Sequence, residues 1–166
     1  NINTKLLVKK ITKKISAILP VHVFGNGNDV EFYKKIKKKF GIKVIYDASH
    51  CFDIDYKKKS ILNYGDCSVV SFHATKIFHT IEGGAIFTNN ANLAKNIRRL
   101  INFGYENSKI KSIGINAKMN EFEAIMGILM LDEMKYIISS RKLIYDKYYY
   151  ELKSFYKFQA RNSDCS

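Results

Sequence analysis

Between Ser16 and Val23 apolar residues fall on both alternating sets of positions, the pattern of a strand covered on two faces, and the run ends at Phe24-Gly25-Asn26-Gly27, a turn composition. The period then changes. Val30, Tyr33, Ile36 and Phe40 recur at helical spacing, Asn28 stands where a cap belongs with Glu31 three positions on, and Gly41 closes the segment. Ile42 to Tyr46 is a second short apolar run. Strand, helix and strand in about thirty residues predict a βαβ unit with two parallel strands.

The same reading continues downstream. Ser68 to Phe72 and Ala85 to Thr88 are short β-rich runs, the second preceded by Gly83-Gly84, which permit a tight turn or a close backbone approach. Leu93, Ile97, Leu100 and Ile101 predict a helix, and a loop with Gly104 and Gly114 follows. Asn120 and Glu123 again have capping-box spacing. From Phe122 to Met134 the chain is apolar nearly all round, as in a helix buried on most faces or packed against another chain. Ser139 or Ser140 is placed to cap a last amphipathic helix with Leu143, Ile144, Tyr148 and Leu152. Gln159 to Ser166 carries no period. The expected class is α/β, a mainly parallel sheet with flanking helices.

Composition narrows the function only a little. A chain of 166 residues has the size of one domain and can bury a core. A net charge of +13 would suit nucleic acid or a phosphorylated small molecule. The excess is almost all lysine beside abundant Ile, Asn and Tyr and a single proline, which reads as a solvated surface, and no recognition string for nucleic acid accompanies it. No apolar stretch is long enough to span a membrane, so a cytoplasmic protein is expected. Cys51, Cys67 and Cys165 lack zinc or redox spacing, and His22, His73 and His79 have no partner at metal-ligand spacing, so no metal site is expected.

The chemistry lies in two residues. Asp47 follows the second strand, at the carboxyl end where ligands of parallel sheets gather, and Lys76 lies on the connection before Gly83-Gly84. An acid at a strand end and an amine on a later loop can hold two ends of pyridoxal phosphate, the acid at the ring nitrogen and the lysine at the aldehyde carbon.

Four strings give this pair a family context. They are Leu19-Pro20-Val21-His22-Val23-Phe24-Gly25, Tyr46-Asp47-Ala48-Ser49-His50, Ser71 to Lys76 with Glu82-Gly83-Gly84-Ala85, and Gly114-Ile115-Asn116-Ala117-Lys118-Met119-Asn120-Glu121. In this order the chain resembles the DegT/DnrJ/EryC1/StrS sugar aminotransferases, fold type I pyridoxal phosphate enzymes, and most of all the branch making dTDP-linked amino-dideoxy sugars. The resemblance implies the middle of such an enzyme: a partial cofactor-binding large domain over 1–134, then a linking helix and the start of a small C-terminal domain over 135–166. It implies that Lys76 is the Schiff-base lysine and proton carrier, its pKa lowered by burial and nearby positive charge. Asp47 would hold the ring nitrogen, His50 would stand beside the ring, Ser71 would donate to the cofactor phosphate, and Asn116 would reach that phosphate from the partner of a homodimer. The implied reaction moves an amino group, with glutamate as donor, to a nucleotide-linked keto-6-deoxy sugar for surface polysaccharide. Lys118 stands where many relatives have Arg, which removes a planar fork. The strings that would cradle the phosphate and stack on the ring are missing, so the fragment alone is expected to be inactive. Rival readings are a pyridoxal phosphate-dependent sugar dehydratase, against which Lys76 argues because histidine holds that position there, and a non-catalytic truncated module.

Overall fold

The computed structural model describes residues 1–166. A short helix α1, Thr4–Lys10, capped by Asn3, precedes strand β1, Ala17–Ile18. Helix α2, Val30–Phe40, leads into β2, Lys43–Asp47, and a small hairpin, β3 (Asp55–Tyr56) and β4 (Lys59–Ser60), leads into β5, Cys67–Ser71. Then come β6, Gly84–Phe87, helix α3, Ala91–Ile101, a second hairpin, β7 (Tyr105–Glu106) and β8 (Lys109–Ile110), and helix α4, Glu121–Leu152. The main sheet has the order β1-β2-β5-β6, with β1 and β5 parallel to β2 and β6 antiparallel to β5.

The βαβ unit forms as the sequence predicts, with two changes of detail. Regular pairing in β1 stops at Ile18, because Pro20 has no N–H to donate, yet the strand keeps its register: Asp47 N donates to Pro20 O and His22 N donates to Asp47 O. The cap of α2 is Asp29, not Asn28, and its carboxylate accepts from Phe32 N. Asn28 is spent elsewhere. Its side chain donates to Val21 O and its backbone N–H to His22 Nδ1, which closes the loop between β1 and α2. Gly41 ends α2 at φ 68°, a left-handed position suited to glycine.

Val30, Tyr33 and Ile36 turn inward and pack with Ile18, Ile42, Val44, Tyr46, Ala48, Tyr56, Ile61 and Val70 into one core. Phe40, the fourth expected member of that stripe, sits in the last turn and stays exposed, with the Lys39 ammonium over its ring. Beside Gly83-Gly84 the fit is close. A Cβ on Gly83, at φ 145°, would overlap Thr80 Oγ1, and one on Gly84 would come within 2.8 Å of Val70 O. The connection from Ser71 to Gly84 contains no helix and returns β6 antiparallel to β5.

One expectation fails, and another is narrowed. The two helices expected around Ser139 and Ser140 are one 32-residue helix, α4, because Ser139 Oγ donates to Tyr136 O inside the helix and does not cap a new one. Positions 134 and 135 lie inside it. Its start carries the expected capping box between Asn120 and Glu123. The segment from Phe122 to Met134 is not buried on most faces within this chain: only Gly127 and Met134 are buried, and Phe122, Ile125, Ile128, Leu129 and Leu131 are exposed, which leaves packing against another chain as the other half of that expectation. Both hairpins escaped sequence reading, since their turns place Lys57-Lys58 and Asn107-Ser108 at positive φ without a glycine to signal it.

Candidate active site

The site is built at the carboxyl ends of β2 and β5. Parallel register sets Asp47 opposite Val69, so Asp47 and Ser71, two residues farther on, share one face of the sheet. Asp47 closes β2 with both backbone groups fixed by the β1 connection, which leaves its side chain little freedom. Its Oδ1 accepts from Ser49 N at 3.0 Å and from Ser49 Oγ at 2.6 Å, while Oδ2 takes no protein hydrogen bond. The Ser49 hydroxyl bond holds the Asp47 carboxyl below the usual carboxylate range against the opposing effect of burial, and the charges of His50 and Lys76 pull the same way.

Lys76 lies half-buried on the loop between β5 and β6, a loop that also carries Phe72 and Phe78, where Phe52 stacks on Phe78 at 4.2 Å and Phe72 meets both edge-on. Its Nζ donates to His50 Nε2 at 3.1 Å. Burial, followed by the charge of Lys76, lowers the pKa of His50, so near neutral pH the ring is uncharged and can accept that bond. Ser71 Oγ accepts from His73 N at 3.3 Å, and its own hydroxyl proton remains to be donated.

His50, Ser71 and Lys76 line one open cleft of about 560 Å³, with Asp47 behind Ser49 and His50. Asn116 does not line it. That residue pairs with Asn102 and accepts from Lys118 Nζ at 2.9 Å on the exposed segment ahead of α4. Three of the five sequence-predicted residues, His50, Ser71 and Lys76, thus line one cleft within one subunit, and Asp47 is joined to its rim through Ser49. His73 turns to Thr75 and Glu82.

Several cleft residues had no sequence signal. Phe24, held at φ 54°, meets the His50 ring edge-on at 5.9 Å. Ser49 was legible only as a spacer in the Asp47 string. Arg141 and Tyr145 come from the exposed middle of α4, and Gln159, Arg161 and Asn162 come from the tail.

This donor set fits pyridoxal phosphate: an oriented carboxylate with one oxygen free of protein hydrogen bonds, an amine bonded to an imidazole, and a hydroxyl with its proton free. The profile of the DegT/DnrJ/EryC1/StrS aminotransferase family matches residues 1–164. The chain belongs to that family. It is 46% identical over 132 residues to dTDP-4-amino-4,6-dideoxy-D-glucose transaminase of Shigella dysenteriae, covering 79% of this chain and 36% of that one. To the transaminase of the same name from Escherichia coli it is 37% identical over 148 residues, covering 87% and 39%. A solved aminotransferase of Helicobacter pylori involved in pseudoaminic acid biosynthesis superposes with a TM-score of 0.83 at 30% identity, over 90% of this chain and 42% of that one. The chain thus spans less than half the length of these family members.

Proposed function

We propose that this chain is the central part of a pyridoxal phosphate-dependent transaminase that aminates a keto carbon of a nucleotide-linked 6-deoxy sugar, with glutamate as amino donor, in the cytoplasmic synthesis of surface polysaccharide. The observation that carries the reading is the meeting of Lys76 Nζ with His50 Nε2 near the carboxyl end of β2, which Asp47 closes, with the charges of both acting on the Asp47 carboxyl. Membership in a family of sugar aminotransferases supports it.

When bound, the cofactor supplies an electron sink for bond breaking at the carbon that gains or loses the amino group. The chain supplies the rest. Asp47 would hold the ring N–H, and Ser49 keeps that carboxyl ionised and oriented. Ser71 Oγ donates to the phosphate. Lys76 Nζ holds the cofactor in the resting enzyme and afterwards carries a proton to and from the reacting carbon, while His50 accepts one of its N–H bonds and fixes its approach. Asn116, remote from its own subunit's cleft, reaches the phosphate of a second copy in a homodimer. The helix α4 links this large domain to a small one beginning within 135–166. These 166 residues alone do not turn over.

The test is made on the full-length protein. Loaded with cofactor, it is expected to show a visible absorption band, and borohydride is expected to fix the label on the peptide carrying Lys76. A label elsewhere, or none, overturns the reading.

A further inference from the structure

The cleft has two walls, and the proposed reaction uses only one. The other is formed by α4 and the tail, and it presents two guanidinium groups, Arg141 and Arg161. No Asp or Glu side chain lines the cleft, and neither arginine takes part in any of the ion pairs that engage other cations of this chain.

Arg161 is held in place. Its Cζ lies 4.2 Å from the centre of the Tyr145 ring, which leaves the edge of the guanidinium, with its N–H donors, open to the cleft. Its backbone is pinned on both sides: Ala160 O accepts from Asn26 Nδ2, while Asn162 donates its N–H to Asn26 Oδ1 and its side-chain N–H to Gly27 O. Beyond it, Asp164 O accepts from Lys57 N, and Ser166 exchanges two backbone bonds with Asp55. Arg141 stands one turn before Tyr145 on the same helix. Tyr145 is itself braced edge-on by Phe158.

Two guanidinium groups without an ion-pair partner, one of them stacked on Tyr145, in a cleft lined by no Asp or Glu side chain form a receptor for an oxyanion. We infer that Arg141 and Arg161 anchor the anionic end of the substrate while its reacting carbon meets Lys76. The inference rests on the transaminase reading for the identity of that substrate. The oxyanion chemistry has two sources there, the diphosphate of a nucleotide sugar and the carboxylate of the amino donor, and both would use the same donor edges.

The experiment titrates full-length protein with inorganic pyrophosphate and, separately, with glutarate, by calorimetry. It compares wild type with Arg141→Met and with Arg161→Met, which keeps an apolar stem on Tyr145. A loss of about tenfold or more in affinity is expected for one anion, the size of a lost charge-assisted hydrogen bond. Loss confined to pyrophosphate, with a raised KM for the nucleotide sugar, assigns the anchor to the diphosphate. Loss confined to glutarate, with a raised donor KM, assigns it to the carboxylate. Arg161→Lys, which keeps the charge without the stacked fork, is expected to recover only part of the affinity. Unchanged affinity for both anions in both methionine variants overturns the inference, as does a wild type that binds neither. Absence of the borohydride label at Lys76 in wild type sinks the transaminase reading and not the anion site, so the two failures are distinct.

Discussion

The two faces of the four-stranded sheet differ as much as any two regions of this molecule. On the face covered by α2, Val44, Tyr46 and Val70 are each 1% exposed and Ser68 is fully buried. On the opposite face, Leu19 is 58% exposed, Val69 39% and Ile86 45%, with Asp47 and Ser71 at its carboxyl end. The covered face is where burial of apolar area acts, and the open face is where side chains are displayed. A strand that alternates between the two must place its chemistry and its stability on neighbouring residues, as Tyr46 and Asp47 do.

The hardest test of that division is Lys76→Ala. It should lower turnover of the full-length protein by about 10² to 10⁴-fold or more, the range of a lost proton carrier, while the melting temperature stays within a degree or two of wild type. Coincident loss of activity and stability would show that the open side also holds the fold together.

Next in size is a matched pair of core and surface truncations. Tyr46 packs edge-on against Tyr33 and stacks with His22, so Tyr46→Ala is expected to cost about 3 to 5 kcal/mol in denaturant unfolding. Ile86→Ala on the open face is expected to cost less than about 1 kcal/mol. Equal costs would mean that the open face is covered in the full-length protein, and the comparison would then hold only for the residues described.

Acid should attack the covered side first. His22 is 1% exposed, stacked on Tyr46 at 4.7 Å, and accepts at Nδ1 from Asn28 N, so burial lowers its pKa from 6.5 to about 4, partly opposed by Asp47. The unfolded chain therefore binds a proton between pH 6.5 and about 4 that the folded chain refuses. Stability should fall as pH drops through that window and level off below it, by up to roughly 3 kcal/mol for this one group. His22→Gln should flatten that slope in a series of unfolding titrations.

The same division explains what the sequence could reveal. The β1-α2-β2 unit was legible because its stripe, Val30, Tyr33 and Ile36, and its stop at Gly41 are local signals of burial and backbone geometry. Asp47, His50, Ser71 and Lys76 were legible because they lie at strand ends or on short connections, inside strings the family resemblance could place. The opposite wall was not. Arg141 looks like any other cation on an exposed stretch of helix, and Arg161 acquires its position from Tyr145 and from Asn26, the latter far away in sequence, in a tail with no period of its own. The expected break at Ser139 failed for a related reason. A serine can bond back into its own helix as readily as it can cap the next, and only the surrounding backbone decides.

The smallest expected effect is also the most specific. Ser49 gives one Asp47 carboxylate oxygen two hydrogen bonds, of which the hydroxyl bond is the largest influence holding the Asp47 pKa down. Ser49→Ala removes that bond and leaves the backbone N–H in place. The Asp47 pKa should then move up toward the ordinary carboxylate value. Because the ionised carboxylate is the form proposed to hold the ring N–H, the acidic limb of the kcat/KM profile should move to higher pH while the plateau near neutrality falls by only about tenfold, the size of one lost hydrogen bond to a charged group. A purely structural role for Ser49 would lower the plateau or the melting temperature without moving that limb. Displacement of the limb thus separates a carboxylate tuned for a ring nitrogen from one that merely ends a strand.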